Sequence, residues 1–149
     1  MNKLSFENVI AQRGELIYTH VGDSMYPLIR EDRDLLVIKA ISAPLKRLDI
    51  PLYKRADGRY ILHRIVKTGN DGFVICGDNC LDREYDVRDD MIIGVLTDII
   101  RNGKKRSVYS VSNRIYAHLW CDTFIIRRLF MALRRLYGRV IGRYRKAKN

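Results

Sequence analysis

The sequence lacks any apolar run of the roughly 18 residues that a transmembrane helix needs. Its first twenty residues carry charges at Glu7, Arg13 and Glu15 and contain no continuous apolar stretch, so we expect no secretory signal peptide. Together these two absences favour a cytoplasmic protein that is either soluble or held peripherally on the inner face of a membrane.

Cysteine is also scarce, with three residues at Cys76, Cys80 and Cys121. Cys76 and Cys80 have no second cysteine pair and no histidine tract near them, so the spacing does not match that of zinc ligands. We therefore predict no metal site and no cofactor. In a reducing compartment the thiols are expected to be buried or free.

Acidic residues are almost absent from the last third of the chain. Of the 149 residues, positions 101–149 hold 14 Lys and Arg against one acid, Asp122, whereas positions 1–100 hold 14 against 16. The first part is thus nearly neutral at −2 and the second carries +13. This asymmetry predicts a body over residues 1–110 and a basic tail over residues 111–149. Such a tail is typical of contact with anionic lipid, nucleic acid or an acidic partner.

Short runs of β-branched and aromatic residues dominate the body, and turn signals separate them every eight to twelve residues. A helix capped by Ser5 and ending near Gly14 precedes them. The spacing predicts a mainly β fold, a barrel or sandwich, instead of alternating βαβ units. The predicted strands are 16–21, 34–41, 50–55, 60–68, 73–78 and 91–100, with a hairpin turn at Asp57-Gly58 and another turn over 101–108.

The tail changes period from about Asn113, where apolar residues begin to recur at three- and four-residue steps. This pattern predicts one long amphipathic helix. The helix either packs on the sheet with a solvated arginine face or lies in an anionic membrane interface, which fits the excess of cations better. Nucleic acid is disfavoured because no aromatic platform or DNA-reading motif is present. The arginines assigned to the membrane are Arg127, Arg128, Arg134, Arg135 and Arg139.

A lone serine, Ser24, lies at a bend just before a predicted strand, and it becomes a nucleophile only if a base takes its proton. Histidine is the side chain best matched to this task at neutral pH, and the chain has His20, His63 and His118. His63 shares a strand face with isoleucines. It is therefore either a core histidine satisfied by backbone or a partly dry imidazole near a nucleophile. Lys54 and Lys67 are the alternative bases.

Two acids follow the strand that ends at Cys76. Asp78 belongs to a Gly-Asp-Asn sequence that also reads as an ordinary turn. Asp82 comes four residues later. Either carboxylate could orient the imidazole and stabilise its cation, which is the third role in a catalytic triad.

Five blocks occur in an order that resembles the superfamily of signal peptidase I and the self-cleaving SOS-repressor peptidases. They are GDSMYP at 22–27, DLLVI at 34–38, YILHRIV at 60–66, GDN at 77–79 and IIGVL at 92–96. The resemblance covers about half of the chain. It implies a strongly bent, barrel-like antiparallel sheet, in agreement with the strand pattern.

The resemblance also implies roles for individual residues. Ser24 would be the nucleophile. His63 would be the base, because His63-Arg64 stands where bacterial signal peptidases have Lys-Arg and is similar to the histidine-type enzymes of the endoplasmic reticulum, archaea and sporulating bacteria. Asp78 or Asp82 would orient the base. The residues expected to contact the bound peptide are Gly22, Asp23, Met25 and Pro27.

The resulting expectation is a serine endopeptidase that cuts a leader, signal or pro-segment through an acyl-enzyme at a membrane surface. Gly22 stands where many signal peptidases have a hydroxyl that helps bind the oxyanion, which leaves the Ser24 backbone N–H as one donor. The alternative is a non-catalytic adaptor, in which the sheet binds a peptide strand and the tail binds lipid or nucleic acid. The separation of Ser24 from His63 distinguishes the two.

Overall fold

The computed structural model describes residues 5–19 and 21–146, and in this part the chain is mainly β, with a curled antiparallel half-barrel sheet and three α-helices. The helices are α1 (Phe6–Arg13), α2 (Val111–Asp122) and α3 (Phe124–Lys146). The strands are β1 (Glu15–Thr19), β2 (Asp34–Lys39), β3 (Pro51–Lys54), β4 (Tyr60–Leu62), β5 (Arg64–Thr68), β6 (Phe73–Cys76), β7 (Glu84–Val87), β8 (Ile92–Arg101) and β9 (Lys104–Ser107).

Helix α1 begins and ends where local chemistry dictates. The Ser5 hydroxyl accepts a hydrogen bond from the Asn8 backbone N–H at 3.3 Å, which satisfies one of the free donors of the first turn. Gly14 then adopts a left-handed conformation, with φ of 74°, and its N–H donates to the Ile10 carbonyl. The predicted helix is therefore confirmed over residues 6–13.

The larger sheet has the strand order β1-β2-β8-β3-β4, and β9 also pairs with β8. Strand β8 is the longest, and it pairs with β2 from Val95 to Arg101 while β3 and β9 share its other side. All of these pairings are antiparallel. The nearly continuous burial of β2 explains its run of apolar residues, because a central strand packs on both faces.

The smaller sheet has the order β5-β6-β7. The sequence predicted a single strand over 60–68, and this prediction is wrong. The strand breaks at His63, so that Ile61 pairs with Tyr53 in the larger sheet while Arg64 pairs with Cys76 in the smaller one. No turn residue marks the break, because the chain passes from one sheet to the other without reversing direction.

Two hydrophobic clusters lie behind the sheets. The first joins Ile10 of α1 to Leu36, Ile38 and Leu96 of the larger sheet. The second contains Ile65, Phe73, Ile75 and Val87 of the smaller sheet together with Tyr53 of β3. Because Tyr53 comes from the larger sheet, it ties the two layers into one body.

Three other predictions need correction. The single long helix expected from Asn113 is two helices, α2 and α3, separated at Thr123. The turn expected over 101–108 is confined to Asn102-Gly103, since the next four residues pair with β8 as β9. Strand β7 was not predicted. Within the described ranges, no helix is both long and apolar enough to cross a membrane.

Candidate functional site

Ser24 lies in the loop between β1 and β2, and this loop folds into successive tight turns. The Tyr26 N–H donates to the Asp23 carbonyl at 3.0 Å, and the Ile29 N–H donates to the Met25 carbonyl at 2.9 Å. The side chain of Met25 is fully buried and anchors the loop in the core, while Ser24 is half-buried. The turns and the buried Met25 side chain therefore fix the position of Ser24 in the loop.

The turn that follows β6 supports this loop from the smaller sheet. The Asn79 backbone N–H donates to the Ser24 carbonyl at 2.7 Å, and the Asn79 side-chain amide donates to the Asp23 carboxylate at 3.0 Å. The Gly-Asp-Asn turn thus holds the carbonyl of the candidate nucleophile and the side chain of the residue before it.

His63 approaches the same place from the break between β4 and β5, and its ring is half-buried. A Cβ atom built on Gly77 would lie 2.7 Å from the Ser24 carbonyl oxygen and 3.0 Å from the Nε2 atom of His63. The Ser24 carbonyl and His63 Nε2 therefore both border the space that a side chain at position 77 would occupy, and glycine leaves that space empty. The structure thus places the main-chain carbonyl of Ser24 close to His63 Nε2, although 38 residues lie between the two in the sequence. His20 lies outside the described residues, and His118 is on α2, where its Nδ1 is 3.0 Å from the Asp122 carboxylate.

Asp78 is fully buried and belongs to an ion pair with Arg64. Nε and Nη2 of Arg64 donate to its two carboxylate oxygens at 2.9 and 2.8 Å, and the Tyr116 hydroxyl donates to one of them at 3.1 Å. Burial and the negative charge of Asp78 raise the pKa of Tyr116 well above its usual value, so this hydroxyl keeps its proton. With both oxygens held, Asp78 locks its turn to β5 at Arg64, the residue that follows His63 in the chain.

Asp82, the other acid expected behind the imidazole, is exposed. Its backbone carbonyl accepts a hydrogen bond from the Cys76 thiol at 3.3 Å, which orders the loop after the Gly-Asp-Asn turn. The hydrogen bond that Asp82 makes to the Cys76 thiol therefore involves its main chain and not its carboxylate.

Glu84 is an acid that the sequence analysis missed. It opens β7, and its carboxylate accepts hydrogen bonds from the Tyr53 hydroxyl at 2.7 Å and from Arg55 Nε at 2.9 Å. Burial raises the pKa of Glu84, but the hydrogen bonds from Arg55 and Tyr53, with electrostatic interactions with Arg55 and His63, outweigh it and leave the pKa lowered. An ionised carboxylate thus lies within electrostatic reach of the imidazole. The alternating β-formers Tyr85 and Val87 were the signal for this strand.

The lysine alternatives are not placed to act as bases. Lys54 donates to Glu7 at 2.9 Å, and this hydrogen bond is the main cause that raises the pKa of Lys54 and keeps it protonated. Lys67 is exposed near the end of β5. Burial likewise raises the pKa of the Cys80 thiol, whose sulfur lies 4.0 Å from the Ser24 carbonyl, so this neighbour is held as a neutral thiol.

Helix α3 packs on the Ser24 loop, which corrects part of the predicted membrane surface. Arg127 is fully buried, and its Nη1 donates to the Cys76 sulfur and to the Cys80 carbonyl, both at 3.1 Å. Arg134 donates to the Asp23 carboxylate at 3.3 Å and lies 4.5 Å from the centre of the Tyr26 ring. The prediction that Arg127 faces a membrane is therefore wrong, since its guanidinium is enclosed by the body.

The residues predicted to contact a peptide have different environments. Met25 cannot contact a substrate, because its side chain is fully buried, so this prediction is wrong. Asp23 is exposed, and Gly22 and Pro27 are half-buried. Pro27 also borders a cavity of about 280 Å³ that is shared with Ile99 and Tyr116.

Comparison of the chain with protein-family models, curated proteins and solved structures gave no match. A function for this protein therefore has to be inferred from the geometry of the site.

Proposed function

We propose that this protein is a serine peptidase in which Ser24 is the nucleophile and His63 is the general base. The observation that supports the proposal most directly is the meeting of the Ser24 loop and His63 Nε2 at Gly77. Ser24, from the loop between β1 and β2, and His63, from the junction of β4 and β5, are half-buried neighbours, and a serine beside a histidine is the pair on which acyl-transfer sites are built.

The reaction can be written from the properties of these groups. His63 Nε2 takes the Ser24 proton as Oγ attacks the peptide carbonyl carbon, and the backbone N–H of Ser24 is a donor for the oxyanion. The imidazolium then protonates the departing amine, which leaves an acyl ester on Ser24. Water, deprotonated by the same imidazole, hydrolyses the ester. The ionised Glu84 stabilises the imidazolium during both steps.

The substrate is an extended peptide, which the resemblance to signal peptidases suggests is part of a leader, signal or pro-segment. The chain offers edges for such a peptide at β1, β4, β5 and β7, since each of these strands ends its sheet. Asp23 is exposed beside the nucleophile and favours a substrate without an acidic residue at the scissile bond.

The test combines cleavage with covalent labelling. The parent protein, Ser24→Ala and His63→Ala are incubated with a mixture of extended peptides, and new termini are identified by mass spectrometry. A fluorophosphonate probe reports the activated serine. Ser112→Ala and His118→Ala are matched controls, because both positions are exposed on α2.

We expect the parent protein and the two controls to cleave and the two site variants to lose at least about 10³-fold in rate. Equal cleavage by Ser24→Ala, or neither cleavage nor labelling by the folded parent, would contradict the proposal. Circular dichroism of each variant confirms that the fold is retained.

A further inference from the structure

Helix α3 has three distinct faces. At about 100° per residue, Arg127, Phe130 and Arg134 share the face that contacts the body. A second face, centred about 100° around the axis and adjoining the first, is apolar, and a third carries exposed arginines. We call the second the apolar face of α3, and it consists of Ile126, Leu129, Leu133, Leu136 and Tyr137.

The apolar face of α3 is exposed along its whole length. Ile126 is the least exposed of its members at 45% and Tyr137 the most exposed at 69%, so no part of the described body covers it. Ile125, beside it, is 80% exposed. A contiguous row of large aliphatic side chains in water is unusual for a monomeric protein and indicates a surface that meets a partner.

The charges beside this face identify the kind of partner. Arg128, Arg135 and Arg139 are exposed on the third face, and the sequence has no acid after Asp122. An apolar row with cations on its flank complements a layer whose surface is anionic and whose interior is apolar. A second copy of the chain fits less well, since the arginines of two paired helices would repel each other.

We propose that α3 lies along an anionic bilayer, with the apolar face inserted at the boundary between headgroups and acyl chains and the three exposed arginines among the phosphates. The helix binds parallel to the membrane plane. The face that holds Arg127 and Arg134 then points roughly parallel to the membrane plane. The Ser24 loop, which contacts this face, therefore lies beside the membrane surface. The proposal does not depend on the proposed peptidase activity.

The experiment measures binding alone, by co-sedimentation of the full chain with vesicles. One set of vesicles contains phosphatidylserine and phosphatidylcholine, and the other contains phosphatidylcholine only. The test variants are Leu129→Glu with Leu133→Glu on the apolar face, and Arg128→Gln with Arg135→Gln and Arg139→Gln on the third face. Ile17→Glu with Leu35→Glu is the matched control, since these aliphatic side chains are also exposed but lie on the larger sheet.

The parent and the sheet control should bind the anionic vesicles and bind the neutral ones at least about tenfold more weakly. Both α3 variants should lose about tenfold or more in affinity, and rising salt should weaken the binding of the parent. Equal binding by parent and the Leu129→Glu, Leu133→Glu variant would overturn the proposal. A dimer of the parent that this variant dissolves, with no vesicle binding, would instead assign the face to a second copy.

Discussion

Gly77 lies where the Ser24 loop, His63 and the turn after β6 meet, and these segments pack so closely that only a hydrogen atom fits in place of a side chain. A methyl group there would lie 2.7 Å from the Ser24 carbonyl oxygen, 2.8 Å from the Cys80 sulfur and 3.0 Å from His63 Nε2. The first of these neighbours is main chain and cannot rotate away. A side chain at position 77 would thus disturb the geometry of the candidate site.

We predict that Gly77→Ala destabilises the protein by about 1–3 kcal/mol, because the loop or the histidine must move to accept the methyl group. Peptidase activity, where measured, should fall with it. Urea denaturation measures the first effect. Gly138→Ala is the control, since no heavy atom lies within 4 Å of its built Cβ, and it should be neutral or stabilising by up to about 1 kcal/mol. A Gly77→Ala protein as stable as the parent would contradict this account.

At the same scale, the sequence identified some residues and missed others for a clear reason. Ser24 and His63 were predicted from short motifs, in which neighbouring residues carry the signal. Glu84 was missed because its place depends on the pairing of Ile75 with Glu84 across two strands, which no local pattern specifies. Asp78 was predicted as one of two acids that could orient the imidazole, whereas the structure pairs its carboxylate with Arg64, which is 14 residues away in the sequence.

Among the elements, α2 shows how the C-terminal helices become part of the body. Trp120 is nearly buried, and its indole N–H donates to the Asp78 carbonyl at 2.6 Å. Its ring stacks on Tyr116 at 5.5 Å between centroids and meets Phe130 of α3 edge-on at 5.2 Å. One side chain therefore connects both helices to the turn that supports Ser24.

We expect Trp120→Ala to lower the free energy of unfolding by about 3–5 kcal/mol, since it removes a large buried ring and leaves the Asp78 carbonyl without this donor. Leu119→Ala is the neighbouring control. Its side chain is 53% exposed, and the change should cost less than about 0.5 kcal/mol. Thermal or urea unfolding of the two variants distinguishes them, and similar losses in both would refute the role given to Trp120.

Helix and strand types were predicted better than their limits. No glycine or proline lies at the break, and the only local signal is that the apolar period skips from Leu119 to Ile126 across Asp122 and Thr123, residue types that often precede a helix. The break lets α2 bury Trp120 while α3 buries Arg127, which a single straight helix need not do. The same limitation applies at His63, where an unbroken alternation of residues conceals a change of sheet.

In the molecule as a whole, a buried carboxylate links the larger sheet to the loop of Ser24. Asp34 is nearly buried and accepts hydrogen bonds from Arg101 Nε at 2.6 Å and from the Arg30 backbone N–H at 2.8 Å. Arg101 also donates to the Leu28 carbonyl at 2.8 Å. Burial raises the pKa of Asp34, but the hydrogen bonds and the charge of Arg101 outweigh it, so the pKa is lowered overall.

A lowered pKa in the folded state means that Asp34 stabilises the protein above the pKa of the unfolded chain, near 3.9, and that this contribution is lost as the pH falls towards the folded-state pKa. We predict that Asp34→Asn costs about 1–3 kcal/mol near neutral pH. The difference from the parent should shrink below about pH 4. Urea denaturation over a pH series measures it, with the exposed Asp71→Asn as control. A difference that stays constant down to about pH 2, well below the unfolded-state value, would contradict the assignment.

The sequence showed which part of the chain carries the excess positive charge. It did not show which of these charges are buried against the body and which face outward. The basic tail predicted a separate segment, whereas two of its arginines, Arg127 and Arg134, contact the body and the Ser24 loop. Composition counts charges, and only packing separates those that are enclosed from those that face outward.

The loop of Ser24 is braced by Asn79, Arg101 and Arg134, which all come later in the chain. Since ribosomes deliver the amino terminus first, Ser24 is synthesised well before any of these three residues. The loop therefore lacks its contacts with Arg134 until α3 has emerged. The proposed peptidase activity is accordingly expected only from a chain that has been synthesised as far as α3.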